Sequence, residues 1–227
     1  FTLFGIPVYI RPSFWVVLAI FGGALSISSV EDLIYPALFV IAGFVAILSH
    51  EMGHALVGRK LGGGQQTIVL ELFGGLTSSH GMQLTRGGRA LMILAGPMMT
   101  LLLGIISLGL TWNIVAPVMT SYNLNFWDLA ISPFTAALIS PKLYILSCLI
   151  MIGEWWTILN LLPIYPLDGG QLIAQYIRSP RKVFMTGFIT AILIGLLSFQ
   201  LFHGYFIPIF MALFAYSNYR EYKNAPF

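Results

Sequence analysis

The sequence predicts an all-α polytopic membrane protein with six transmembrane helices and a small membrane-associated β-hairpin or sheet after the second helix. Hydrophobic residues make up 58% of the chain and charged residues only 8%, a balance far outside that of soluble globular domains. The apolar residues also fall into runs close to the twenty residues that a helix needs to cross the hydrocarbon core. The predicted spans are residues 13–30, 34–58, 88–112, 142–163, 182–201 and 205–219.

The distribution of Lys and Arg predicts the orientation of these spans, because cytoplasmic loops retain basic residues. A cytoplasmic N-terminus places every Lys and Arg on the cytoplasmic side except Lys142. The outer connections then hold Glu31, Asp32 and Asp128 instead. Both termini are therefore predicted to be cytoplasmic.

The charged residues also bear on the class of partner. The net charge is +3, but the basic residues are scattered singly or in pairs between apolar segments, and they form no basic stripe. Nucleic acid is therefore not an expected partner. The single cysteine, Cys148, lies within an apolar run, which excludes an intramolecular disulfide and predicts a buried hydrophobic side chain.

One connection differs from a plain loop. Residues 65–80, "QQTIVLELFGGLTSSH", have β-branched and apolar residues on each side of Gly74 and Gly75, which predicts a β-hairpin. A flexible cytoplasmic loop is the alternative. Residues 1–227 are expected to form a single membrane-embedded domain with no appended soluble domain. Its core is predicted at 34–179, and its peripheral helices at 1–33 and 180–227.

The end of the second predicted span carries an H-E-x-x-H motif, "HEMGH". His50 and His54 are spaced i and i+4, so they lie on one face of a helix and can share a metal ion. Glu51 then lies near the water of such a site and is the candidate general base. Ionisable residues within a span cost free energy and usually line a functional cavity. A structural polar contact between helices is the alternative interpretation.

A zinc site of this type needs a third protein ligand, since hydrolytic zinc enzymes use three protein ligands and one open position. The candidate acids are Glu71, Glu154 and Asp168. Asp168 follows two prolines in "NLLPIYPLDGG", residues 160–170, which break the fourth span near its cytoplasmic end. Asp168 is therefore the favoured ligand, although an Asp at this place is also an ordinary signal for the start of a helix.

These two motifs together resemble the site-2 protease family of intramembrane zinc metalloproteases. The closest similarity is to the branch that includes the sporulation pro-sigma-factor protease. "LFGGLTS", residues 72–78, and "LAGPMM", residues 94–99, extend the similarity to about residues 36–178. Two separated motifs in the right order are much more specific than one H-E-x-x-H motif.

The resemblance implies a role for each matching residue. The implied zinc ligands are His50, His54 and Asp168. Glu51 would activate the attacking water, and Asn160 would help to hold the scissile carbonyl or its oxyanion.

The resemblance also implies a mode of substrate binding. The strand at about 67–73 would accept the substrate as an added strand. One position departs from the family pattern, because many relatives have Asn where this chain has Thr100. No catalytic role is therefore expected for Thr100.

The predicted function is that of an intramembrane zinc endopeptidase acting in regulated intramembrane proteolysis. It would cleave a peptide bond in or near a transmembrane segment of a single-pass membrane protein or a membrane-associated pro-factor. The protein would lie in the lipid bilayer of a bacterial or archaeal cell membrane, with its active site near the cytoplasmic face. The sequence does not predict the oligomeric state.

Three other functions are less favoured by the sequence. A membrane metal transporter or metal-sensing channel could also use intramembrane His and Asp, but it needs no glutamate beside the first ligand. An inactive relative is disfavoured because all the implied catalytic residues are present. A protease of the CaaX-processing type would not take its third ligand from this Pro-bracketed motif. Glu154, in the middle of the fourth span, is expected to have a structural role rather than to contact substrate.

Overall fold

A computed structural model of the protein describes residues 1–72, 74–81, 83–122 and 132–226. The chain divides into two compact units, Phe1–Thr157 and Ile158–Phe227. The predicted outer position of Asp128 lies outside the described residues.

The first unit contains most of the helices and all of the described strands. Its strands are β1 (Thr2–Leu3), β2 (Ile6–Ile10), β3 (Gln65–Glu71) and β4 (Gly74–His80). Its helices are α1 (Pro12–Phe21), α2 (Ile34–Gly62), α3 (Arg86–Tyr122), α4 (Pro133–Ala137) and α5 (Pro141–Asn160), the last of which ends in the second unit. The second unit continues with α6 (Asp168–Ala174), α7 (Pro180–Phe202) and α8 (Phe206–Asn224).

Four of the described helices are long and apolar enough to cross a membrane. They are Ile34–Gly62, Arg86–Ala116, Pro141–Asn160 and Pro180–Leu201. The prediction of six spans is therefore not confirmed. The first predicted span contains the ten-residue α1, which ends before Gly22 and Gly23, and a three-residue 3₁₀ helix, Ala24–Ser26. Gly23 has a φ of 87°, a conformation that a right-handed helix cannot continue through.

The strands form one sheet in the order β1-β2-β3-β4. The predicted hairpin is β3 and β4, which pair antiparallel, with Ile68 opposite Thr77. The register pairs Glu71 with Gly74, so the two glycines lie within β4 rather than in the turn. The parallel pairing of β2 with β3, which places Val8 opposite Ile68, adds two N-terminal strands that the sequence analysis did not predict. The molecule is mostly helical, but it is not purely all-α.

The sheet packs against the half of α2 that carries the H-E-x-x-H motif. The buried cluster at this contact consists of Ile6, Val8, Phe14, Leu18, Ile47, Met52, Ala55, Ile68 and Leu70. Burial of this much apolar side chain fixes the sheet against the helix, so β3 and β4 are held next to the motif. Cys148 is also fully buried, packed with Ala42 and Tyr144, as the sequence predicts.

Candidate metal centre

The three polar residues of the H-E-x-x-H motif are buried together on α2. His50, Glu51 and His54 have 2%, 5% and 8% of their surface exposed. The Nε2 atoms of His50 and His54 lie 3.1 Å apart, and one potential ligand atom from each of the three residues lies within 4.8 Å of the others. The helical spacing therefore places both imidazoles on one face, as predicted, in an arrangement that could hold a metal ion.

The orientation of His54 is fixed by α3. Its Nδ1 atom lies 2.8 Å from the backbone carbonyl oxygen of Met92. A carbonyl oxygen only accepts hydrogen bonds, so Nδ1 carries the proton and Nε2 presents its lone pair. A backbone partner on the far nitrogen is a common feature of metal-binding histidines. The donor set therefore fits a metal ion.

Two glycines allow α2 and α3 to approach closely at this site. A Cβ atom on Gly96 of α3 would collide with Nε2 of His54 and would lie 2.9 Å from Nε2 of His50. On α2, a Cβ atom on Gly53 would lie 2.8 Å from Cγ of Met99. These distances are shorter than ordinary van der Waals contacts, so only glycine fits at either position. Gly96 therefore lies directly against both imidazoles.

The carboxylate of Glu51 lies against β4. The Thr77 hydroxyl donates a 2.7 Å hydrogen bond to Oε2 of Glu51 and lies 3.2 Å from its backbone oxygen. A Cβ atom on Gly75 would lie 2.6 Å from Oε1 of Glu51, and one on Gly74 would lie 2.6 Å from Cζ2 of Trp156. The missing side chains of both glycines therefore let the strand pack tightly against the glutamate and the tryptophan.

Thr77 is not among the site residues predicted from the sequence. The alternation of a strand is the signal that could have found it, because residues 75 and 77 share a face. That signal indicates a shared face but does not identify what the face contacts.

Thr100 was also given no role, yet it lies behind His50. Its side chain is fully buried. Its Oγ1 atom lies 3.4 Å from Nδ1 of His50 and 3.0 Å from Oγ1 of Thr157. The departure from the family's Asn at this position was the sequence signal that marked it.

The second unit carries the remaining two predicted site residues. Asn160 ends α5 and is 8% exposed, and Asp168 begins α6 and is 5% exposed. Both side chains are therefore buried. The role of Asp168 as third ligand and that of Asn160 at the scissile carbonyl stay predictions.

The loop between these residues is supported from two sides. Cβ atoms on Gly169 and Gly170 would collide with the backbone of the loop at Leu161 and Ile164, so glycine is needed after the aspartate. Asn218 of α8 donates a 2.6 Å hydrogen bond to the carbonyl oxygen of Tyr165. Asn218 was not predicted from the sequence, because nothing local to α8 indicates this distant contact.

Several known proteins are similar to this chain. It is 29% identical over 95% of its length to a zinc metalloprotease of Methanocaldococcus jannaschii, and 28% identical over 78% to a putative zinc metalloprotease of Synechocystis. A third relative, the putative zinc metalloprotease Rip3 of Mycobacterium tuberculosis, is 30% identical over 58% of the chain. The alignments span 57%, 43% and 29% of the three relatives, so the chain corresponds to only part of their length.

The fold also matches a solved structure. The site-2 protease from Methanocaldococcus jannaschii superposes with a TM-score of 0.62 and 23% identity, covering 98% of this chain and 93% of that one. The family model described as Peptidase family M50 matches residues 38–202. This range is well over half of the chain and includes every predicted site residue, so the resemblance to site-2 proteases is confirmed and the chain belongs to Peptidase family M50.

Proposed function

We propose that the chain carries the catalytic core of an intramembrane zinc endopeptidase, which hydrolyses a peptide bond in or near a transmembrane segment of a membrane protein. The observation that carries the proposal is the buried cluster on α2. Two imidazole Nε2 atoms lie 3.1 Å apart, and a glutamate beside them is held against β4. The cluster lies in a helix that is apolar enough to cross a membrane, within a peptidase family.

Three side chains would hold the zinc ion, namely His50, His54 and Asp168. Imidazole nitrogen and carboxylate oxygen are ligands that zinc takes in hydrolytic sites with one open position. When bound there, zinc supplies a Lewis acid that polarises a carbonyl group and lowers the pKa of water. Zinc is supported both by this donor set and by the relatives that are named zinc metalloproteases.

Glu51 would act as the general base. Its Oε2 atom is held by the Thr77 hydroxyl, so the other oxygen, Oε1, is the one placed to take a proton from the attacking water. The same carboxyl group would then pass that proton to the leaving amine. Asn160 would donate its amide N–H groups to the oxyanion.

The substrate would bind as an added strand, but on a different strand from the one expected. The predicted acceptor strand, 67–73, corresponds to β3, and β3 is paired on both sides by β2 and β4. It therefore has no free edge for a further strand. Among the described strands, β4 lies at the edge of the sheet, and it is the strand that contacts Glu51. A substrate strand paired to β4 would bring an extended peptide beside the base.

The substrate class and the location are also part of the proposal. The substrate would be a single-pass membrane protein or a membrane-associated pro-factor, cleaved in regulated intramembrane proteolysis. The protein would be integral to a bacterial or archaeal cell membrane, with cytoplasmic termini, and water would reach the site from the cytoplasmic face. Similarity to the sporulation branch stays a prediction.

The alternative of a metal transporter or metal-sensing channel is not supported by the comparisons, because the chain belongs to a peptidase family. The position of Glu51 also favours hydrolysis. Ion transport does not need a carboxylate held beside two histidines by an edge strand.

Metal analysis combined with cleavage of a panel of transmembrane peptides tests this function. We expect Glu51→Gln to keep zinc and to lose cleavage by at least about a hundredfold, since a positioned general base contributes roughly 10²–10⁴ in rate. His54→Ala and Asp168→Ala should lose zinc, whereas Asn160→Ala should keep zinc and cleave more slowly. A purified wild-type chain that carries zinc but cleaves no peptide of the panel contradicts the proposal, as does full activity of Glu51→Gln.

A further inference from the structure

We infer that Thr100 and Thr157 act as positioning residues for His50, by holding its Nδ1 atom so that Nε2 faces the metal. The inference rests on the proposed function only in taking His50 as a metal ligand. It concerns two hydroxyl groups from two different helices, α3 and α5, that meet behind one imidazole.

The Thr100 hydroxyl group lies within hydrogen-bonding distance of four polar groups. Its hydroxyl oxygen lies 3.2 Å from the carbonyl oxygen of Gly96 and 3.0 Å from that of Pro97. It also lies 3.4 Å from Nδ1 of His50 and 3.0 Å from the Thr157 hydroxyl. A hydroxyl group has one proton to donate and two lone pairs that accept.

When His50 holds a metal through Nε2, its ring proton lies on Nδ1, and the Thr100 hydroxyl oxygen is the acceptor that faces it. Carbonyl oxygens only accept, so the Thr100 proton goes to a carbonyl of its own helix, and its two lone pairs remain for other donors. Nδ1–H of His50 is one such donor, and the Thr157 hydroxyl group can be the other. The contacts of Thr100 therefore match the form of His50 that binds a metal, with the proton on Nδ1 and the lone pair on Nε2.

His54 also has a hydrogen-bonding partner on its Nδ1 atom. The Nδ1 atom of His54 is held by the carbonyl oxygen of Met92 at 2.8 Å, which assigns the same tautomer. Both Nε2 lone pairs then point into the 3.1 Å gap between the rings. A metal ion bound by both residues would accept these two lone pairs, and the partners on the two Nδ1 atoms favour this form of both rings.

The contact between Thr157 and Thr100 depends on a close approach of α5 to α3. A Cβ atom on Gly153 would lie 3.0 Å from the backbone oxygen of Thr100, so a glycine is needed for α5 to approach α3 here. Thr157 follows Gly153 by four residues and lies on the same face of α5. The Thr157 hydroxyl therefore reaches the Thr100 hydroxyl at 3.0 Å. It also lies 3.4 Å from the carbonyl oxygen of Pro97, so the pair is tied to the backbone of α3.

Outer partners of this kind contribute about ten- to a hundredfold to metal affinity in proteins. The threonine pair is the polar partner behind His50. The role is one of orientation, because neither hydroxyl belongs to the metal-binding group of side chains.

The test is the dissociation constant for Zn²⁺ of the full chain in detergent, measured by competition with a chromogenic chelator. We expect Thr100→Val to weaken binding by about ten- to a hundredfold, and Thr100→Ser, which keeps the hydroxyl group, to bind close to wild type. Thr157→Val should weaken binding less, since its contact with His50 is indirect. The double valine variant should be no weaker than Thr100→Val, because both changes remove one arrangement.

Thr111→Val is the matched control. Thr111 is a fully buried threonine of the same helix, and its hydroxyl donates to the carbonyl oxygen of Ser107 at 2.9 Å. It should bind zinc as the wild type does. Wild-type affinity in Thr100→Val overturns the inference, and so does an equal loss in Thr111→Val. If Thr100→Val does not fold, Thr157→Val decides, and an unchanged affinity in that variant overturns the inference.

This measurement needs no substrate, so it separates the inference from the proposed function. A chain that binds zinc with the expected pattern but cleaves no transmembrane peptide overturns the proteolytic function and supports the inference. If the wild type cleaves the peptide and Thr100→Val binds zinc as tightly as the wild type, the proteolytic function is supported and the inference is overturned.

Discussion

The hydroxyl group of Thr77 donates a 2.7 Å hydrogen bond to Oε2 of Glu51. This contact joins the edge strand of the sheet to the glutamate of the H-E-x-x-H motif. It fixes one carboxylate oxygen and leaves the other for proton transfer. β4 would align the substrate, and Glu51 would act on it. This hydrogen bond therefore joins the proposed substrate-binding strand directly to the proposed base.

Removal of this hydroxyl group should slow catalysis without removing the metal. We expect Thr77→Val, which keeps the size and branching of the side chain, to lower kcat by roughly ten- to a hundredfold, since a hydrogen bond to a charged group is worth about 1.5–3 kcal/mol. Thr77→Ser should retain most of the activity. Cleavage of a transmembrane peptide and zinc content of the purified variants are the measurements.

The division between kcat and KM distinguishes positioning of the base from substrate alignment. Loss of an oriented base lowers kcat and leaves KM nearly unchanged. A Thr77→Val enzyme with wild-type kcat, or one whose only defect is in KM, would show that the hydroxyl group does not serve Glu51.

Gly96 should be required for metal binding. A methyl group there would collide with Nε2 of His54 and lie 2.9 Å from Nε2 of His50, so Gly96→Ala should displace both imidazoles. We expect its zinc content to fall to a small fraction of the wild-type value. Gly109→Ala is the matched control in the same helix, because a Cβ atom there meets nothing within 4 Å, and alanine should stabilise the helix by about 0.5–1 kcal/mol. Full zinc content in Gly96→Ala would disprove the steric argument.

The local part of this site could be read from the sequence. His50 and His54 share a face because four residues make about one helical turn, and this geometry needs no information about the rest of the chain. Gly74 and Gly75 were read as a hairpin turn, but they lie in β4, where their missing side chains admit Glu51 and Trp156. The sequence identified the small residues but not what lies opposite them.

The N-terminal strands illustrate the same limit. β2 pairs in parallel with β3, with Val8 opposite Ile68, and no short-range pattern indicates a partner so distant in the chain. The long apolar run at 13–30 suggested a full span, because composition alone does not register the conformation of Gly23. Contacts made through packing of distant segments, such as Thr100 with Thr157, required the structure.

The connection before α2 should respond to acid. Asp32 Oδ2 accepts hydrogen bonds from the backbone N–H groups of Ser29 at 2.9 Å and Ser28 at 3.3 Å. The pKa of this carboxyl group is lowered below 3.8, first by a hydrogen bond from the Ser29 side chain and then by those from the backbone of Ser29 and Ser28.

A lowered pKa means that the stabilisation is present above pH 3.8 and is lost as the pH falls through the lower folded value. Amide exchange at Ser29 should therefore be slow near neutral pH, relative to its intrinsic rate, and should lose protection in that acidic range. Asp32→Asn removes the titrating group and should make the protection independent of pH. An unchanged pH dependence in this variant would assign the effect to another residue.

Asn218 should stabilise the loop that precedes Asp168. Its side-chain amide donates to the carbonyl oxygens of Tyr165 at 2.6 Å and Phe214 at 2.9 Å, and the residue is 1% exposed. Asn218→Ala would leave a loop carbonyl group without this donor, at a cost of about 1–3 kcal/mol in the free energy of unfolding. Amide exchange in residues 161–170 should become faster, and the variant should unfold at a lower denaturant concentration.

Asn113→Ala is the matched control for this change. The Asn113 side chain is exposed and donates a hydrogen bond within its own helix, to the carbonyl oxygen of Gly109 at 2.8 Å. Its removal should change the free energy of unfolding by less than about 0.5 kcal/mol, as is usual for surface substitutions. If the two variants unfold alike, or if exchange at 161–170 is the same in Asn218→Ala as in wild type, the contact from α8 does not hold the loop.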